Sequence, residues 1–133
     1  MLDELIIVPL GTVSPYCSND KNCSGFLIKY NNKNYLLDCG NGITRNMKMN
    51  EDLKNLKVFI SHLHVDHYGD VLCLAQSALV YNRLGLIDEK LDIYIPGDDY
   101  LNSKKKHIED YYFLHSLEKD SLFNLLLNVA CEV

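Results

Sequence analysis

A chain of 133 residues is one domain at most, long enough for a real core and too short for two. Hydrophobic residues make up 47% and charged residues 23%, the balance of an ordinary soluble globular protein. The net charge of −5 argues against a broad nucleic-acid surface, which needs clustered Lys and Arg, and the run Lys104-Lys105-Lys106 reads as a solvated face. The N-terminus lacks a basic stretch followed by an apolar core, and no run approaches transmembrane length. The expected location is therefore the cytoplasm, with no membrane partner. The five cysteines are odd in number and form no Cys-x-x-Cys pair, which argues against a disulfide framework and a thiolate zinc knuckle. Cys39 and Cys73 are expected as small buried residues, and Cys17 and Cys23 flank a polar loop.

Residues 4–10 read as a buried strand, with Pro9 placing it near an edge or at its end. Residues 11–24 are a polar loop of Gly, Pro, Ser and Asn. A β-hairpin follows: residues 25–30, a turn over Asn31, Asn32, Lys33 and Asn34, and a returning strand 35–39. Residues 43–56 predict one or two short helices with Ile43, Met47, Leu53 and Leu56 facing inward. A fourth strand spans 57–61. Residues 68–84 read as the longest helix, with Val71, Leu72, Ala75, Ala78, Leu79 and Leu84 as its apolar stripe and Gly85 as its C-terminal cap. Residues 91–95 form a fifth strand that Pro96-Gly97 ends. Beyond it, Tyr111, Tyr112, Phe113 and Leu114 suggest a short helix, and residues 121–133 are strongly apolar.

The chemistry gathers at Ser61-His62-Leu63-His64-Val65-Asp66-His67, directly after the fourth strand. Imidazole is the commonest protein metal ligand, and Asp adds a hard anionic oxygen. In an extended loop, residues i and i+2 point the same way, so His62 and His64 converge on one position. Asp66 and His67 fall where the chain turns into a helix and aim at a second, adjacent position. Asp66 also suits a helix N-cap, which is compatible with ligation. The stretch makes half of a two-metal hydrolytic centre; the alternative is a solvated polar loop with incidental histidines. His107 and His115 read as isolated histidines.

The stretch Val58 to His67 resembles the signature of the metallo-β-lactamase superfamily. Leu10-Gly11-Thr12 and Leu36-Leu37-Asp38-Cys39-Gly40-Asn41-Gly42, in the same order and separation, resemble its ribonuclease Z-like branch. The resemblance covers about residues 5 to 96. It implies an α/β fold, the N-terminal half of a metallo-β-lactamase-like αββα sandwich, with a mixed sheet and helices on one face. It implies a metal-dependent hydrolase, phosphodiesterase or ribonuclease Z-like, in which a metal-held hydroxide attacks phosphorus. His62 and His64 would hold the first ion, and Asp66 and His67 the second. Asp66 would also handle a proton, and Asp38 would stand behind the ions and orient a histidine. Asp38 alone also reads as an Asx-turn residue opening the Gly-rich loop. Zinc fits His-rich ligation, with manganese or iron as alternatives.

The family completes its site with further histidines and a bridging carboxylate from later strands, and this chain ends before they are expected. The chain therefore reads as a single, incomplete domain over 1–133. Its alternative role is a truncated, catalytically incomplete fragment, or a metal-binding half-domain completed by a partner chain or a homodimer. The expected substrate is a small-molecule or nucleic-acid phosphodiester, with a lactone or thioester as the alternative class.

Overall fold

The computed structural model describes residues 4–88, 91–96 and 112–117. Its hairpin joins β2 (Gly25–Tyr30) to β3 (Lys33–Leu37) through Asn31 and Asn32, whose φ angles are +51° and +61°. Two successive left-handed residues twist as the flanking strands do, and asparagine is among the few L residues that accept that conformation. The turn is two residues rather than four, since Lys33 and Asn34 already pair with Tyr30 and Lys29. β1 (Ile6–Gly11) pairs antiparallel with β2 at the sheet edge, where Pro9 suits a strand that needs fewer N–H donors. Expected to be buried, β1 is largely exposed at Ile6 and Ile7 because only one of its sides is paired.

β4 (Leu56–Phe59) lies parallel to β3, β5 (Leu91–Pro96) parallel to β4, and β6 (Tyr112–Leu117) parallel to β5. The sheet thus runs β1-β2-β3-β4-β5-β6, antiparallel in its first half and parallel in its second. This is the expected mixed α/β sheet. The helix expected near Tyr112, Phe113 and Leu114 is β6 instead. Aromatic and branched residues favour strands, and the free edge of β5 satisfies the backbone that a short helix would leave half-bonded.

Between β3 and β4 run a 3₁₀ turn (Ile43–Asn46) and α1 (Met49–Asp52). Ile43, Met47, Leu53 and Leu56 are buried, as the pattern predicts. So short a helix is held by side chains. The buried Asp52 accepts the Lys48 N–H at 2.7 Å and pairs with the Lys29 ammonium. The Asn34 amide donates to the carbonyls of Glu51 and Lys54 at 3.1 and 2.8 Å.

The crossover from β4 to β5 departs from the expected single helix. It is broken into α2 (Val65–Tyr68) and α3 (Val71–Arg83) at Gly69 and Asp70. The Asp70 carboxylate accepts the Thr44 N–H and hydroxyl at 2.9 and 2.7 Å, so it tethers the 3₁₀ turn instead of capping α3. α3 buries Val71, Leu74, Ala75 and Ala78, while Leu72 and Leu84, expected inward, are 63% and 66% exposed. Leu72 lies about 100° around the helix from Val71 and leaves the face that Val71, Leu74, Ala75 and Ala78 bury, and Leu84 falls past the last helical residue. Gly85 does end α3, with φ +76°, its N–H on the Asn82 carbonyl and the Leu86 N–H on that of Tyr81.

The core sits on the helix side of the sheet, where Leu27, Leu36, Val58 and Ile93 stand in register across four strands. The alternate row on the other side is Pro9, Phe26, Leu37, Phe59 and Tyr94, with the rings of Phe59 and Tyr94 stacked at 5.1 Å. Among the described residues no helix is long and apolar enough to cross a membrane.

Candidate metal centre

The site forms where β3 and β4 end side by side. The Asp38 N–H bonds the Phe59 carbonyl at 2.8 Å, and the Ile60 N–H bonds that of Tyr94 at 2.9 Å, so both strand ends are fixed. Asp38 then adopts φ +63°, a left-handed conformation that Asp tolerates better than most residues. This turns its carboxylate toward the neighbouring strand end. There Oδ1 accepts the Ser61 N–H at 2.8 Å, and Oδ2 accepts the Ser61 hydroxyl at 3.0 Å. Oδ2 also lies 2.7 Å from Nδ1 of His67. A carboxylate only accepts, so Nδ1 of His67 carries the proton of that bond.

The next residues form no regular structure until His64 (φ −87°, ψ 141°), which is the N-cap of α2. Asp66, considered above as that cap, lies inside the first turn. Backbone bonds anchor the loop from outside. The Asp66 carbonyl accepts the Ser24 N–H at 3.2 Å, and the His67 carbonyl accepts the Cys39 N–H at 2.8 Å. In a helix of four residues no intrahelical partner exists for these carbonyls, so neighbouring loops satisfy them.

The side chains meet accordingly. The His62 ring is centred 4.6 Å from that of His64 and 4.0 Å from that of His67. Asp66 is buried, and its Oδ2 lies 3.2 Å from Nε2 of His67. Four of the five residues singled out from the sequence, His62, His64, Asp66 and His67, thus share one strand end, with Asp38 bonded directly behind them. Nothing in the spacing singles out Ser61, whose pairing with Asp38 exists only once β3 and β4 lie together. His107 lies outside the described residues, and His115 falls in β6.

These donors fit a divalent cation in their chemistry. With Nδ1 of His67 donating to Asp38, its Nε2 faces the Asp66 oxygen at 3.2 Å, an approach that either a second ring proton or a cation between the two accounts for. They do not form a complete cage. Among the described residues, no three His, Cys, Asp or Glu side chains close around a single position.

Gly40 lets the loops approach this closely. A Cβ there would overlap the Asp66 carbonyl oxygen and crowd Cys23 and Ser24. Gly40→Ala is expected to cost about 1–3 kcal/mol by overpacking, read from the urea midpoint, and to weaken metal uptake by displacing α2.

Behind the loop, the cysteines among the described residues divide by burial. Cys39 and Cys23 are buried, whereas Cys17 and Cys73 are exposed, the last against expectation because α3 turns its Cys73 side outward. Burial pushes the Cys39 thiol well above its ordinary 9.0, and the negative charge of Asp70 adds to the effect. Burial raises Cys23 too, assisted by the adjacent Cys17 sulfur. A thiol raised in the fold keeps its proton where the unfolded chain would lose it. Its stabilising contribution is therefore complete below 9.0 and declines as pH climbs above that value. Urea midpoints should fall above that pH, and iodoacetamide on the native protein should label Cys17 and Cys73 while Cys23 and Cys39 react only on unfolding.

Comparison with known proteins places this geometry in a family. The sequence profile described as anti-Pycsar protein Apyc1 matches residues 5–133. The chain belongs to the Apyc1 family. The anti-Pycsar protein Apyc1 of Bacillus phage vB_BsuM-Goe3 is 26% identical, over 89% of this chain and 50% of its own length. A ribonuclease Z of Sulfolobus acidocaldarius is 33% identical, over 78% of this chain and 35% of its own. This Apyc1-family chain therefore spans half of the phage relative's length and about a third of the ribonuclease Z's. The metallo-β-lactamase fold protein YhfI of Bacillus subtilis superposes with a TM-score of 0.71 at 19% identity, over 87% of this chain and 48% of that one. The fold is the metallo-β-lactamase fold, matched over its N-terminal half, and the resemblance to ribonuclease Z holds across most of the chain.

Proposed function

We propose that this chain carries half of a two-metal centre in a hydrolase that cleaves a phosphodiester. The observation that carries the proposal is the gathering of His62, His64, Asp66 and His67 at one strand end, with Asp38 bonded behind them. The hydrolase names among its relatives support the reaction class, and the family name supports an anti-Pycsar role.

His62 and His64 hold one cation, and Asp66 and His67 the other. Zinc is the first choice for so much imidazole, with manganese or iron as alternatives. Such a pair supplies Lewis acidity that activates water at neutral pH and offsets charge developing on the phosphate. Asp38 holds the His67 ring with Nε2 forward. Asp66, on the rigid first turn of α2, is placed to take a proton from the attacking water and pass it to the leaving oxygen. A catalytic zinc keeps about three protein ligands, so the centre needs further donors, from residues outside those described or from a second chain.

The test is metal content and mass in solution on one purified sample, followed by bis(4-nitrophenyl) phosphate hydrolysis with added zinc or manganese. Near two ions per chain with metal-dependent turnover supports the proposal, and a dimer would indicate donors supplied across the interface. A metal-free protein that stays inert in excess zinc and manganese overturns it.

A further inference from the structure

The proton count around Ser61 has a consequence for His62. The Ser61 hydroxyl lies 3.0 Å from Oδ2 of Asp38 and 2.9 Å from Nδ1 of His62. It has one proton and two lone pairs, whereas the carboxylate has no proton to give. If the hydroxyl proton went to His62, two oxygens bearing only lone pairs would face each other at hydrogen-bond distance. The proton therefore goes to Asp38, and the hydroxyl oxygen must accept from His62. The Ser61 backbone holds it in place, because its own N–H bonds the other oxygen of the same carboxylate at 2.8 Å.

We propose that Ser61 is a positioning residue: its hydroxyl extends the hold of Asp38 to His62 and fixes that imidazole as the Nδ1–H tautomer, leaving Nε2 free for a divalent cation. One carboxylate just past β3 thereby sets two histidine rings, His67 directly and His62 through a serine. The hydroxyl also limits rotation of the His62 ring, which sits at the centre of the cluster, 4.6 Å from His64 and 4.0 Å from His67. The consequence for metal uptake rests on the two-metal reading above, whereas the tautomer does not.

The experiment uses the full chain labelled with ¹⁵N in its imidazoles, freed of metal and held at mildly alkaline pH so that the rings are neutral. Wild-type protein should show His62 as the Nδ1–H form. Ser61→Ala, which keeps the backbone N–H, should shift His62 toward the Nε2–H form that free histidine prefers, and Ser61→Thr should restore the wild-type pattern. Zinc titration against a chromophoric chelator should show Ser61→Ala weakened by about 10–100-fold, the usual effect of removing a partner behind a ligand, with Ser61→Thr close to wild type. Retention of the Nδ1–H form in Ser61→Ala would overturn the proposal, as would an unchanged zinc affinity. Should wild-type protein take up no zinc, the two-metal reading fails, and the tautomer comparison alone decides the role of Ser61. A variant too unstable for assignment is replaced by Ser61→Cys, whose weaker hydrogen bonding should give an intermediate pattern.

Discussion

Zinc uptake at the position that His62 and His64 share is expected to fall by at least about four orders of magnitude when both are replaced by alanine. Structural zinc sites release about 10–16 kcal/mol over four ligands, roughly 3 kcal/mol per ligand, so losing the two that hold this ion removes about 6 kcal/mol. The fold should survive, because His64 is exposed, His62 is only half-buried, and neither contributes to the core behind α3. The measurement is zinc affinity by chelator competition, with the urea midpoint of the same sample. The residual donors, Asp66 and His67, still flank one position at 3.2 Å, so weak single-ion binding should remain. Full affinity in the double variant would place the metal elsewhere. Full phosphodiester turnover by that variant would remove these histidines from the chemistry altogether.

Asp38→Ala should cost more in stability than any histidine change. The carboxylate receives the Ser61 N–H, the Ser61 hydroxyl and the His67 ring N–H, and its side chain is 14% exposed. Hydrogen bonds to a charged group contribute about 1.5–3 kcal/mol each, and an alanine at φ +63° adds strain, so about 3–5 kcal/mol is expected after allowance for partial solvation. Asp38→Gly removes the same carboxylate without the steric penalty and should fold about 1 kcal/mol better than Asp38→Ala, although glycine costs chain entropy. Both variants should lose about 10–100-fold in zinc affinity, because two imidazoles lose their anchor together. Equal stability of the two variants would show that the strain of the left-handed backbone at this position does not exceed the chain entropy that glycine costs.

The hairpin, the βαβ unit and the clustering of the His/Asp loop were legible because each is written in local chemistry. Asparagines mark the turn, alternating apolar residues mark β5, and four metal-competent side chains fall within six positions. What the sequence hid depends on partners distant along the chain. Leu72 and Leu84 face solvent because the face of α3 that packs into the core is Val71, Leu74, Ala75 and Ala78. The break at Gly69 and Asp70 becomes visible only when the Asp70 carboxylate finds Thr44. Tyr112, Phe113 and Leu114 could have served a short helix, but the open edge of β5 decides for a strand. Ser61 is an unremarkable loop serine by spacing and becomes significant only opposite Asp38, twenty-three residues earlier.

That distance bears on whether the motif can be moved. A synthetic peptide of residues 61–67 would contain every donor atom of the loop and none of the groups that aim them. The carboxylate comes from the end of β3, one backbone anchor from Ser24 before β2, and another from Cys39 just past β3. Grafting these seven residues onto an unrelated strand–helix junction would transfer the side chains without their geometry. To transfer the site, the graft must carry two adjacent strand ends and the glycine-lined path between them, because the recognisable string is the smaller part of what holds its histidines in place.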